Sequence, residues 1–159
     1  MTTVPAEIVA NHPANAGLRR YRESRHPRPG TAAVTSPEAL ERSYDRLGTH
    51  PDLVARLWDE LGKILPQDRR AVFYGGPALI HPETGVVFGF AGGTHTYTLR
   101  LPEAVRVRAL EAGATRVKQY PREPSFDLSQ IGEEWVFCGW FGDEAAWCRA
   151  AFDYAGAAT

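Results

Sequence analysis

A thiol becomes a nucleophile when a base stands within hydrogen-bond reach, and the chain offers one such set: Cys138 with His81 or His95, all in stretches that read as strands. Cysteine is also among the most buried residue types, and Cys138 sits between two apolar faces, so it is read as core. His95 and Tyr97 alternate onto one face of a strand, where Trp58 or Trp135 could complete a pocket. The candidate pocket is therefore His95, Tyr97, Cys138, Trp58 and Trp135, with a satisfied core histidine as the plainer reading. Cys148 follows Trp147 on the last helix and could lie near Cys138; pairing would require disulfide distance.

Two carboxylate pairs, Glu133-Glu134 and Asp143-Glu144, flank the Trp135 strand. Paired carboxylates do acid/base work in a cleft, but a solvated strand end and a helix start explain these more simply. The five histidines show no ligand spacing and neither cysteine belongs to a CxxC, so no metal site is expected. Glycines 75, 76, 92 and 93 fit no phosphate-binding motif and read as hairpin turns, so no cofactor is expected either. No residue is assigned a catalytic role.

Arg19, Arg20, Arg22, Arg25 and Arg28 cluster around Tyr21. Residues 1–36 hold five arginines against two glutamates, a local excess of three positive charges in a chain whose net charge is −1. Such an arm can meet an acidic protein surface, pair with phosphates or keep a terminus soluble. A protein partner is the favoured reading, because this charge neutralises few phosphates and makes nucleic acid the weaker one.

Elements must position these residues. Prolines 5, 13, 27 and 29 interrupt the first 35 residues, which read as a flexible arm with at most a short helix over Asn15 to Arg25. The folded body is expected to span 36–159, opening with a helix from Ser36-Pro37-Glu38 to Gly48. A second helix starts at Thr49-His50-Pro51-Asp52, carries Leu53, Leu57, Leu61 and Ile64 on one stripe, and ends at Pro66. From Ala71 to Leu101 the period becomes extended, with breaks at Gly75-Gly76-Pro77, Pro82 to Gly85 and Gly92-Gly93, giving a meander of hairpins. In its last run Tyr97, Leu99 and Leu101 face the core, and Thr96, Thr98 and Arg100 are expected to face water.

A helix from Pro102 to Gly113 follows, then a strand at Arg116 to Tyr120, a loop over Pro121 to Ser129, and a strand at Glu134 to Phe141 buried on both faces. Gly142-Asp143-Glu144 caps a final helix that ends at Ala155-Gly156. The expected fold class is α+β: one domain with an antiparallel meander sheet packed against helices. A length of 159 residues and 43% hydrophobic content suit one globular domain. The apolar runs are shorter than the roughly 20 residues that span a bilayer. Neither a membrane role nor a secretory leader is expected, and two sparse cysteines suit a cytoplasmic setting.

The segments Phe73-Tyr74-Gly75-Gly76, Gly85 to Phe90, Thr96 to Arg100 and Glu111 to Ala114, with the helix Trp147 to Ala155, resemble the TfoX N-terminal and YjbR-like group over residues 53–156. The arginine-rich arm, the long loop Gln119 to Ile131 and Arg100, where lysine is usual, depart from that pattern. The resemblance implies a small α+β interaction or regulatory domain without established catalytic residues. The expected function is therefore a non-enzymatic module, regulatory or neutralising, that binds a protein partner. A small-molecule domain or minor enzyme around His95, Tyr97 and Cys138, and a nucleic-acid accessory role for the arm, are the alternatives.

Overall fold

A computed structural model of the chain describes residues 4–25, 33–37, 50–65, 69–92, 96–116 and 131–158. Among the described residues, seven strands form one antiparallel sheet: β1 (Val34–Thr35), β2 (Arg70–Phe73), β3 (Gly76–Ile80), β4 (Val87–Gly92), β5 (Thr96–Arg100), β6 (Thr115–Arg116) and β7 (Trp135–Cys138). The spatial order is β1-β2-β3-β4-β5-β7-β6, so β2 to β5 make the expected meander and β7 inserts between β5 and β6. The fold class is α+β. No helix among the described residues is long and apolar enough to cross a membrane.

The first hairpin turns at Tyr74 and Gly75, both with positive φ (46° and 80°), as a two-residue primed turn requires. Between Leu79 and Ile80 the β3–β4 register slips, leaving Phe88 opposite no residue of β3. The bulge breaks the alternation, so that Phe88 faces one core with Val86 while Phe90, two residues on, faces the other with Val87.

Helices cover both faces of the sheet, giving three layers. On one face lie α3 (Pro51–Ala55), which widens into a π-helical stretch over Arg56–Leu61 and tightens at Gly62–Ile64, and α5 (Glu144–Gly156). Their Leu53, Leu57, Trp58, Leu61, Trp147, Cys148 and Ala151 share a core with Leu79, Tyr97, Leu99 and Val136, joined by Ala109 of α4 (Glu103–Ala112). His50 caps α3 through Nδ1, which accepts the Asp52 amide at 3.1 Å, and Pro51 fills the first helical position.

On the opposite face residues 4–25 are helical and packed where a loose arm is expected, the short helix expected over Asn15 to Arg25 being present, while residues 1–3 and 26–32 lie outside the described residues. α1 (Ala6–Asn11) and α2 (Ala16–Arg25), joined by a 3₁₀ turn at Pro13–Asn15, bury Val9, Leu18 and Tyr21 against Phe73, Phe90 and Trp135. The prolines do not break these helices: Pro5 stands just before α1 and Pro13 opens the 3₁₀ turn, positions where no amide bond is lost. Asn15, fully buried, ties the unit down. Its Nδ2 donates to the carbonyls of Val9 (2.8 Å) and Gly85 (2.9 Å), and its Oδ1 accepts from the Val87 amide (2.8 Å).

Because this second face is covered, Thr98 and Arg100 are only 4% and 6% exposed, and the expectation that they face water is corrected. Arg100 Nε donates to Glu134 Oε2 at 2.7 Å and its guanidinium lies 4.4 Å over the Tyr154 ring. The strand read over Glu134 to Phe141 stops at Cys138. The helix read from Ser36 to Gly48 and the loop Pro121 to Ser129 fall largely or wholly outside the described residues.

Candidate functional site

Register places Tyr97 directly opposite Cys138, in the core shared by Trp58. The Tyr97 hydroxyl donates to the Gly139 carbonyl at 2.6 Å and the Trp58 indole to the Ala78 carbonyl at 3.0 Å. Burial pushes the Tyr97 phenol and the Cys138 thiol far above their ordinary ranges, and pushes Cys148 up to about 12. Both cysteines are free, buried and protonated at neutral pH. They pack as core side chains.

The rest of the sequence-derived pocket does not assemble there. Trp135 faces the second core, with Leu18 and Phe73, because it is one residue out of phase with Val136 and Cys138 on β7. His81 follows the end of β3 that pairs with Val87, whereas Cys138 aligns through Tyr97 with Ala91, so histidine and thiol stand at opposite ends of the sheet. His81 Nδ1 accepts the amides of Glu83 (3.2 Å) and Thr84 (3.4 Å), and its ring stacks on Phe152 at 4.6 Å. Burial lowers its pKa and keeps it neutral. His95 lies outside the described residues.

Of the arginines of the first segment, Arg22 turns inward. Arg22, 2% exposed, donates through Nη2 to the Tyr74 carbonyl at 3.1 Å and stacks 5.2 Å over Phe90. A Cβ on Gly76 would stand 2.9 Å from the Arg22 guanidinium carbon and 2.8 Å from the Phe90 ring, so any larger residue there would have to displace the arginine or the ring. Arg19 bonds Glu23 (2.7 Å), the Ala10 carbonyl and Asn11 Oδ1 (both 2.9 Å). Arg20 is exposed, while Arg28 and the Arg25 side chain lie outside the described residues.

The sequence reading missed a different site, at the loop from β7 into α5. Glu144, read as a solvated helix-start acid, is completely buried. Its carboxylate accepts the amides of Phe141 and of Gly142 (2.8 Å), and Arg56 Nη2 stands 3.3 Å from Oε2. The positive helix end adds to this hold on the charge. Arg56 reaches the carboxylate from the start of the π-helical stretch, where the widened turn shifts side chains away from α-helical register. Its charge acts on Tyr97, Cys138 and Cys148 as well, opposing the rise that burial causes in each.

On this buried ion pair stand two exposed rings. Trp140 is 55% exposed, with the Arg56 guanidinium 5.7 Å from its centroid and the Tyr97 ring edge-on at 6.2 Å. Phe141 is 45% exposed, tilted against Trp147 at 6.2 Å. Gly113, which ends α4 with φ 122°, lets it settle: a Cβ there would come within 3.1 Å of the ring. Beside Phe141, between α4 and α5, runs a groove of about 300 Å³ lined by Val105, Arg108, Asp143, Ala146, Trp147 and Ala150.

Such an arrangement suits adhesion better than bond chemistry. Exposed tryptophan on a fixed backbone is the side chain that most often dominates a protein interface. Among the described residues no group of three histidine, cysteine or acidic side chains could hold a metal ion. Compared with protein-family models, with curated proteins and with solved structures, the chain matches none.

Proposed function

We propose that the chain is a non-enzymatic binding module that docks a protein partner on the loop 139–143. One observation carries this reading: Trp140 and Phe141 are 55% and 45% exposed on a backbone pinned by a fully buried carboxylate. Single exposed apolar residues need no explanation, but two adjacent aromatics on a fixed support make a patch. Stability does not demand that support, since apolar residues of similar volume commonly replace a buried ion pair without loss. Holding a recognition surface in one shape does.

The resemblance to the TfoX N-terminal and YjbR-like group points to the same kind of role, and a cytoplasmic setting, suggested by the two free thiols, belongs to the same proposal. Against a thiol enzyme stands the packing of Tyr97 and Cys138, 0% and 1% exposed. Against the arm as a phosphate-binding element stand the internal partners of Arg19 and Arg22. Affinity capture with the tagged full chain, with nuclease present, should yield a stoichiometric protein that a Trp140→Ser/Phe141→Ser double variant of equal stability does not retain. Identical recovery by both would reject the loop as the docking surface.

A further inference from the structure

The charges around the loop identify what kind of segment it takes, on the reading that the loop docks a protein. Arg56, its side chain 15% exposed and 5.7 Å from the Trp140 centroid, stands 3.3 Å from the buried Glu144 and 3.9 Å from Glu60, whose side chain is 54% exposed, while exposed Asp143 lines the groove. One guanidinium shared by Glu144 and Glu60 leaves an excess of one negative charge, to which exposed Asp143 adds a second. The Trp140 ring already attracts one cation on the protein side, and its exposed part offers the same π surface outward. On the Phe141 side of the loop, through Trp147, the groove wall of Val105, Ala146, Trp147 and Ala150 supplies apolar contact, with Arg108 as its one cation.

We infer that the site docks a basic, aliphatic-containing segment of a partner protein. A lysine or arginine of that segment lies on Trp140 with Glu60 and Asp143 around it, and an aliphatic side chain enters the groove beside Phe141. Arg108 repels further basic residues and limits how far the positive stretch extends. Anionic membranes and nucleic acids are disfavoured, because their phosphates would meet the same two carboxylates. Neutral apolar partners lack the charge that an aromatic ring with an acidic rim selects.

The test titrates the full chain with three short capped peptides, alternating lysine–leucine, glutamate–leucine and glutamine–leucine, read by calorimetry and by tryptophan fluorescence at low and high salt. The lysine–leucine peptide is expected to bind and to shift an emission that Trp140→Leu removes. Its affinity should fall about tenfold with Asp143→Lys, the size of one lost cation contact, fall again at high salt, and rise with Arg108→Glu. Glu60→Lys, on a separate element, is expected to act like Asp143→Lys and guards against a local fold defect. Equal binding of the three peptides, preferential binding of the glutamate peptide, or no binding of any overturns the basic-segment inference. So does self-association of the chain that Trp140→Ser abolishes. Charge-insensitive binding that still needs Trp140 leaves the docking loop intact, whereas capture and peptide binding that both ignore Trp140 reject the loop itself.

Discussion

Removing the Glu144 carboxylate should cost more than any other single change at the aromatic loop. Glu144→Ala removes the nearer carboxylate from the Arg56 guanidinium, leaving Glu60 3.9 Å from Nη1, and takes the acceptor from the Phe141 and Gly142 amides. Breaking a buried pair costs about 3–5 kcal/mol, and each lost amide bond about 1 kcal/mol. The Arg56 side chain retains 15% exposure, and the loop amides can rehydrate, so the sum is reduced. A loss of about 3–4 kcal/mol is expected, seen as a lower urea midpoint at unchanged slope. Arg56→Met/Glu144→Leu removes both charges and should be more stable than Glu144→Ala alone. The double-mutant cycle should return a coupling of about 2 kcal/mol. A Glu144→Ala cost below about 0.5 kcal/mol, or a double variant whose loss equals the sum of the singles, would refute the buried-pair reasoning.

Asn15→Leu keeps the volume but strands the Val87 amide and the Gly85 carbonyl and leaves the Val9 carbonyl only the His12 amide, for an expected loss of about 3 kcal/mol in urea unfolding. Because burial lowers the folded-state pKa of His81 below 6.5, its contribution is complete above that pH and lost as pH falls through the folded value. Thermal unfolding should therefore weaken below about pH 6.5, and His81→Gln should flatten part of that slope. His12, lowered in the same direction with its Nδ1 accepting the Ala14 amide, accounts for another part. Thiol reagents at mildly alkaline pH should label Cys138 and Cys148 only after denaturant is added, since burial holds both protonated.

The sequence revealed the parts of the fold that are written locally. Glycine and proline punctuation marked the hairpins, Pro51 and Pro102 marked helix starts, and Gly113 marked a helix end. In residues 4–25 proline reads as a breaker, yet Pro5 and Pro13 stand where helices begin. What fixes that segment, Asn15 on Gly85 and Val87 and Arg22 on Tyr74, spans distances in the chain that no local pattern encodes. The same holds for the candidate site. Glu144 looks like an ordinary first-turn acid until Arg56 arrives from another element. The apolar run Trp135 to Phe141 reads as one buried strand, and only the folded chain separates its core half from its exposed half. One legible hint was the Gly142 position, whose φ of 113° marks the turn that aims Phe141 outward.

Whether Trp140 and Phe141 stand on a rigid support is decided most directly by amide hydrogen exchange at Phe141 and Gly142. Both amides sit in a surface loop between two exposed aromatics and the helix start, yet both donate to the buried Glu144 carboxylate. Exchange should be slowed by orders of magnitude relative to an unstructured peptide, and Glu144→Gln should erase most of that protection while the β5 and β7 amides keep theirs. Exchange at unprotected rates in the wild-type chain would mean that the loop is not held, and the rigid recognition surface would have to be given up.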